Sequence, residues 1–377
     1  MLRSAWRTAR YLGSWITGRG QPEVREVSIL RDGEPVPATV ALPPGRSRAS
    51  LPSWIVLHGM TRPGRRHRQL QRFVKALVAS RAVVVVPEVP EWIRLDLAPE
   101  ATLPTVRGAL DLLAGMPEAE PGRTALVGFS FGSPQAILAG SHPSVRNEVA
   151  GVVGFGGYCD LERTLCFQLT GVHEWEGARY RTTPDPYGRW IVGANFLPLL
   201  PDGGSGSGPR VAESLWTLAA DAGDRQIPAR DPSLAQKAAG LRRGLPATDR
   251  ALFDLFAHPA GRDPDPDDIR SLVADLAAAA RRVSPLLDPA TGLEGVALPV
   301  HLLHGRGDRL IPFTEAFRLE RRLGGGSART RCTVTGLFAH SRGDPVRSPS
   351  RLVREGLAFV AALAGILGAP GGRRSGG

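Results

Sequence analysis

Only three cysteines occur in the 377 residues, Cys159, Cys166 and Cys332. So sparse and odd a set makes no disulfide framework, and the Cys-x6-Cys spacing of the first two is no zinc pattern. A reducing, cytoplasmic setting and no bound metal are expected. Long apolar runs are missing too. Stretches such as Ala82 to Pro87 and Leu276 to Ala280 fall far short of the roughly 18 residues of a membrane-spanning helix. Lysine is almost absent, with only Lys75 and Lys237 among 47 basic residues, which against 36 acidic ones give a net charge of +11. The remaining basic residues, all arginine, are scattered along the chain, whereas nucleic-acid recognition gathers charge on one face, so no nucleic-acid partner is expected.

What the chain does have is enough apolar material, 42% of its residues, to bury a substantial core. Its 45 glycines and 33 prolines show no three-residue period, which excludes a collagen-like rod. From Val24 onward, short β-rich runs are separated by turn residues. Val24 to Leu30, Pro37 to Leu42, Trp54 to Leu57, Val83 to Val86, Thr124 to Val127, Val149 to Val153 and Pro299 to Leu303 read as strands, and Arg331 to Val334 as a shorter one. The first two read as a hairpin turning at Arg31-Asp32-Gly33-Glu34. Helical spacing between later strands, over His67 to Ser80, Leu103 to Leu113 and Ser133 to Ala139, predicts an α/β chain with a mostly parallel sheet covered on both faces. Such sheets carry their sites at the carboxyl ends of the strands.

Four segments lie outside or around that core. Residues 1–20 hold Arg3, Arg7, Arg10 and Arg19 and no acid, with Leu2, Ala5, Trp6, Ala9, Leu12, Trp15 and Ile16 at helical spacing. This basic amphipathic segment is expected to dock on its own domain, with weak peripheral contact to an acidic membrane surface as the other reading. The core is assigned to residues 21–157 and 297–367. Residues 158–296, with helical stretches at Val211 to Ala222, Ala247 to Ala257 and Asp267 to Val283, read as an inserted, largely helical cap. The glycine-serine run from Gly203 to Gly208 reads as a mobile loop, and the tail 368–377 as disordered.

Gly128-Phe129-Ser130-Phe131-Gly132 fits Gly-x-Ser-x-Gly, and its context gives the pattern weight. A strand leads straight into it, and a helix with Pro134 in its first turn leads straight out. So tight a turn strains the middle residue and needs small neighbours, which lifts Ser130 above the sheet as a nucleophile. A serine hydroxyl needs a base to take its proton and a third group to orient the base. His340, after the short strand Arg331 to Val334, is the candidate base. Asp308, in the glycine-flanked loop after Pro299 to Leu303, is the candidate acid. His301 and His304 are expected to pack or cap that strand, and Asp160, after the sixth strand, is the rival acid. The developing oxyanion needs donors, for which the backbone N–H groups of Phe131 and of Met60, in the Leu57-His58-Gly59-Met60 turn, are assigned. Arg62, Arg65, Arg66, His67 and Arg68 just beyond read as a solvated helix start. His173-Glu174-Trp175-Glu176-Gly177 lacks the second histidine of a zincin helix, and no phosphate-binding glycine pattern occurs, so no cofactor is expected.

Taken together, these segments resemble the α/β-hydrolase fold over roughly Val24 to Pro143, the sixth strand and Ala297 to Ala362. The N-terminal hairpin is similar to the dienelactone-hydrolase and prolyl-oligopeptidase-like branches, although the elbow carries Ser in place of Cys and the cap is far larger. The resemblance implies Ser130 as nucleophile, Asp308 as acid, His340 as base and Met60 and Phe131 as oxyanion donors. The expected function is hydrolysis of carboxylic esters on a small-molecule acyl substrate. A peptidase or thioesterase with the same triad is the alternative, and a non-catalytic binding module a further one. Phe167, Trp175, Trp190, Phe196, Leu199, Trp216, Phe253 and Phe256 are expected to shape an apolar acyl pocket.

Overall fold

The computed structural model describes residues 2–45, 50–201, 206–258, 263–324, 329–337 and 349–371. A first helix, α1 (Leu2–Thr17), precedes the hairpin of β1 (Glu23–Arg31) and β2 (Glu34–Leu42). The hairpin turns at Asp32 and Gly33, both at positive φ, the twist that an Asp-Gly pair supplies. Strands and helices then alternate as β3 (Leu51–Leu57), α2 (Arg68–Ala79), β4 (Val83–Pro87), α3 (Pro90–Ile93), α4 (Thr102–Ala114), β5 (Ala119–Phe129), α5 (Gly132–Ser141) and β6 (Val149–Phe155). The long connection that follows holds α6 (Leu161–Thr170), a small hairpin of β7 (Val172–Trp175) and β8 (Ala178–Arg181), then α7 (Pro186–Phe196), α8 (Ser207–Arg225), α9 (Pro232–Gly244), α10 (Ala247–Ala257) and α11 (Arg270–Val283). The chain rejoins the sheet with β9 (Val300–Gly305), α12 (Thr314–Gly324), β10 (Thr330–Thr335) and α13 (Pro349–Leu367).

Eight strands form one sheet in the order β1-β2-β4-β3-β5-β6-β9-β10, antiparallel at the β1 end and parallel from β4 onward. β4 shows why the parallel part is buried on both faces. Val83 and Val85 enter one core with α4 and α5, while Val84 and Val86 enter the other with α1, α2 and α13. Tyr11, buried at the centre of α1, stands edge-on to Phe73 of α2, and Ser4 donates to Ala364 O of α13. Most of α1's apolar face is thus spent on its own chain, with Trp6 and Ile16 left exposed.

Several expectations need correction. The connection from β6 to β9 is largely helical as expected, with one addition: Glu176 and Gly177 take positive φ and fold the His173 segment into a hairpin. α6, α7 and α9 in the connection, and α12 and α13 after it, escaped the sequence reading. Gly208 lies inside α8, where a Cβ would stand 2.6 Å from Leu197 O, so part of the glycine-serine run serves close packing; residues 202–205 lie outside the described residues. Gly368 and Ala369 continue the hydrogen bonding at the end of α13, and Arg123 donates to Pro370 O, so the tail begins as packed structure; 372–377 lie outside the described residues. Arg65 is buried and pairs with Glu26 and with Glu88 at 3.0 Å, and Arg62 pairs with Asp224, so these two arginines are tied into the fold, while Arg66 and Arg68 around the start of α2 are exposed as expected of a solvated helix start. Among the described residues no helix is long and apolar enough to cross a membrane.

Candidate active site

β5 runs directly into the elbow. Ser130 takes φ +54°, a region that costs a residue with a Cβ, and two backbone bonds hold it there: Ser130 N–H donates to Phe155 O at 2.8 Å, and Ser133 N–H donates to Ser130 O at 2.9 Å. The flanking glycines are required by contact. A Cβ on Gly128 would lie 2.0 Å from Gly132 O, and one on Gly132 would lie 3.0 Å from both His58 O and the Trp92 ring. Phe131 begins α5 in helical conformation, which directs its N–H out of the helix end.

The turn after β3 approaches the elbow from the neighbouring strand. A Cβ on Gly59 would meet Phe129 O and the Ser130 Cβ at 3.3 Å, so only glycine lets the two segments come this close without displacement. His58 fixes the turn. Its Nε2 accepts from Val89 N–H at 3.1 Å, which leaves the proton on Nδ1, and Nδ1–H donates to Gly59 O at 2.8 Å. Burial lowers the His58 pKa to about 4, so the imidazole stays neutral and keeps both bonds near pH 7. From the other side, the Tyr187 hydroxyl of α7 reaches Met60 O at 3.4 Å. The N–H groups of Met60 and Phe131 are engaged by none of the turn and loop hydrogen bonds found among the described residues.

Asp308 lies in the loop after β9, 2% exposed. Its Oδ1 accepts Leu310 N–H at 2.8 Å and Ile311 N–H at 3.1 Å, and its own N–H donates to Gly305 O. His304, at the end of β9, is buried, donates from Nε2 to Ile311 O at 2.9 Å and lies 3.5 Å from Asp308 Oδ2. His301 is inside the same strand, its pKa lowered to about 4 by burial. Asp160 is the N-cap of α6, its carboxylate accepting from Arg163 N–H. His340 lies outside the described residues; β10, which leads toward it, pairs in parallel with β9.

A pocket of about 90 Å³ opens beside Ser130, lined by Met60 and Phe131 from the two turns, Leu310 and Ile311 from the Asp308 loop, and α6 and α7 side chains that include Leu165, Gln168, Ile191 and Phe196. Of the eight apolar residues expected to shape it, Phe196 does. Phe167, Trp190, Phe253 and Phe256 are instead buried in the packing of the connection itself, and Trp175, Leu199 and Trp216 stand elsewhere. Tyr187, Gln168 and His58 were not singled out from the sequence. The only local signal was at Asp185-Pro186, where Asp185 accepts Tyr187 N–H and Pro186 opens α7.

No protein-family model matches the chain, and no curated protein matches it in sequence. Among solved structures it is similar to an acylaminoacyl peptidase of Pyrococcus horikoshii, at 12% identity and TM-score 0.48, over 93% of this chain and 42% of that one. It is also similar to an esterase from the fungus Rhizomucor miehei, at 16% identity and TM-score 0.46, over 96% and 89% of the two chains. A third is brefeldin A esterase, a bacterial homologue of human hormone-sensitive lipase, at 16% identity and TM-score 0.45, over 98% and 84%. The chain has the α/β-hydrolase fold. The strand order and the strand-elbow-helix at Ser130 carry that statement. The chain spans less than half the length of the peptidase.

Proposed function

We propose that this α/β-hydrolase-fold chain is a serine hydrolase that cleaves carboxylic esters. The observation that carries the reading is the strained Ser130, held at φ +54° between β5 and α5 at the wall of a largely apolar pocket. Backbone strain of this kind persists where the surrounding structure enforces it, and here it presents a hydroxyl to a cavity. In this reading Ser130 Oγ attacks the acyl carbon while His340 takes its proton and later returns it to the leaving alcohol. Asp308 holds the imidazole and stabilises its charged form. The N–H groups of Met60 and Phe131 donate to the oxygen that becomes negative, helped by the positive end of α5. Water then releases the acid from the acyl-enzyme. The 158–296 connection acts as the cap, with α6 and α7 walling the acyl group.

The test is turnover of p-nitrophenyl butyrate by purified protein and by Ser130→Ala. Loss of at least about 10³-fold in kcat is expected, the scale on which such nucleophiles act. Equal turnover by the variant contradicts the reading. Parallel assays on an acyl thioester and an aminoacyl amide place the ester among the scissile bonds the same triad could cleave.

A further inference from the structure

The polar groups on the pocket wall share one bias. Gln168 of α6 lines the pocket and is 7% exposed. Its Nε2 is directed at Leu310 O at 3.4 Å, which orients the amide, and its buried Oε1 has no hydrogen-bond partner. Gly188 of α7 leaves room for this amide, since a Cβ there would stand 3.0 Å from Nε2. The other wall hydroxyls direct their protons into the protein: Thr164 to Asp160 O at 2.8 Å, Tyr158 to Leu287 O at 2.9 Å and Tyr187 to Met60 O at 3.4 Å. The side-chain donors of the lining residues Gln168, Thr164, Tyr158 and Tyr187 are therefore each committed to a backbone carbonyl, while their oxygen lone pairs are not all used. A buried acceptor left unmade carries a penalty that a ligand donor can remove.

We infer that the pocket beside Ser130 takes an acyl group bearing a hydrogen-bond donor, a hydroxyl or an N–H, which binds the carboxamide oxygen of Gln168. This rests on Ser130 marking the reacting end of the pocket, and it selects against plain alkanoyl chains and against chains whose only polar group is an acceptor. The same amide touches Leu310, whose N–H is bound by Asp308, so a donor seated there lies against the loop that holds the proposed triad acid.

Binding without turnover tests the inference. Calorimetry on Ser130→Ala protein compares methyl hexanoate with methyl 2-, 3- and 6-hydroxyhexanoate and their methoxy counterparts. At least one hydroxy ester is expected to bind about tenfold more tightly than the plain ester, while its methoxy counterpart does not. A plain ester that binds as tightly as every hydroxy ester overturns the inference. In Ser130→Ala/Gln168→Met protein, checked for folding by its thermal melt, the preference is expected to shrink to less than about twofold; a preference that survives in the folded double variant also overturns it. Hydroxy-ester selectivity in a protein whose wild type turns over no ester would remove the hydrolase reading and leave the Gln168 assignment standing. Ester turnover with no such selectivity would do the reverse.

Discussion

Gly128 and Gly132 meet across the elbow so closely that a Cβ on the former would stand 2.0 Å from a carbonyl oxygen, a collision of backbone with backbone that no side-chain rotation relieves. Gly59 is tighter than usual but less extreme, at 3.3 Å. Gly128→Ala is therefore expected to cost more than about 3 kcal/mol and Gly59→Ala about 1 kcal/mol. Urea midpoints check the order, and equal losses would contradict it. Asp308→Asn keeps an oxygen for Leu310 and Ile311 N–H while removing the charge, so stability should hold as kcat falls by about 10² to 10⁴; steady-state kinetics with a thermal melt separate the two effects. The positions of Ser130 and Asp308 at strand ends were legible because each follows an apolar run and is set among glycines, signals that local sequence carries. His58 was legible only as part of a turn. Its bond to Val89, 31 residues away, depends on β3 and β4 being neighbours, and no local pattern states that.

α6 forms part of the pocket wall, and its N-terminus is held by two carboxylates from distant segments. Glu315 Oε2 accepts Cys159 N–H at 3.0 Å and Asp160 N–H at 2.9 Å while Oε1 pairs with Arg318, and Asp288 accepts Leu161 N–H at 3.2 Å. Glu315→Ala leaves the Cys159 and Asp160 N–H groups without an acceptor and removes one of the partners of Arg318, at an expected cost of about 3 kcal/mol. Faster labelling of the buried Cys159 thiol by an aromatic disulfide reagent reports the loosened α6 start; an unchanged rate and unchanged melt contradict it. The helices of the connection missed from the sequence, α6, α7 and α9, carried start signals. Asp160 caps α6, and Asp185-Pro186 and Asp231-Pro232 place a capping carboxylate before a helix-opening proline. They were passed over because α6 and α7 are apolar on much of their surface, buried between sheet and helices, so the amphipathic period that identifies α8 and α11 is weak there. The sheet was read nearly whole because parallel strands buried on both faces, such as the all-valine β4, are continuous apolar runs.

Across the whole molecule, histidines whose pKa is lowered by burial shape the acid side of the stability profile. His58, His173 and His301 have pKa values lowered from 6.5 to about 4 by burial. Between those limits the unfolded chain takes up protons that the folded chain refuses, so this contribution to stability is full above pH 6.5 and lost as pH falls toward 4. Glu315, raised to about 7 by burial, works in the opposite sense, because its protonated form is the one the fold favours and stability declines as pH rises from 4.5 to 7. His67, also lowered by burial, adds to the histidines and Asp185, also raised by burial, adds to Glu315; four groups against two predict a melting temperature that climbs from pH 4.5 to 6.5, and His58→Gln should flatten the climb, whereas a falling melting temperature over that window contradicts the assignment. The placement of Ser130 at a strained turn beside the pocket is open to a more direct chemical test. A fluorophosphonate probe followed by peptide mapping should give a single adduct on the Ser130 hydroxyl, absent from Ser130→Ala. Folded wild-type protein that takes up no probe, or takes it up at another serine, would contradict the assignment of Ser130 as the nucleophile.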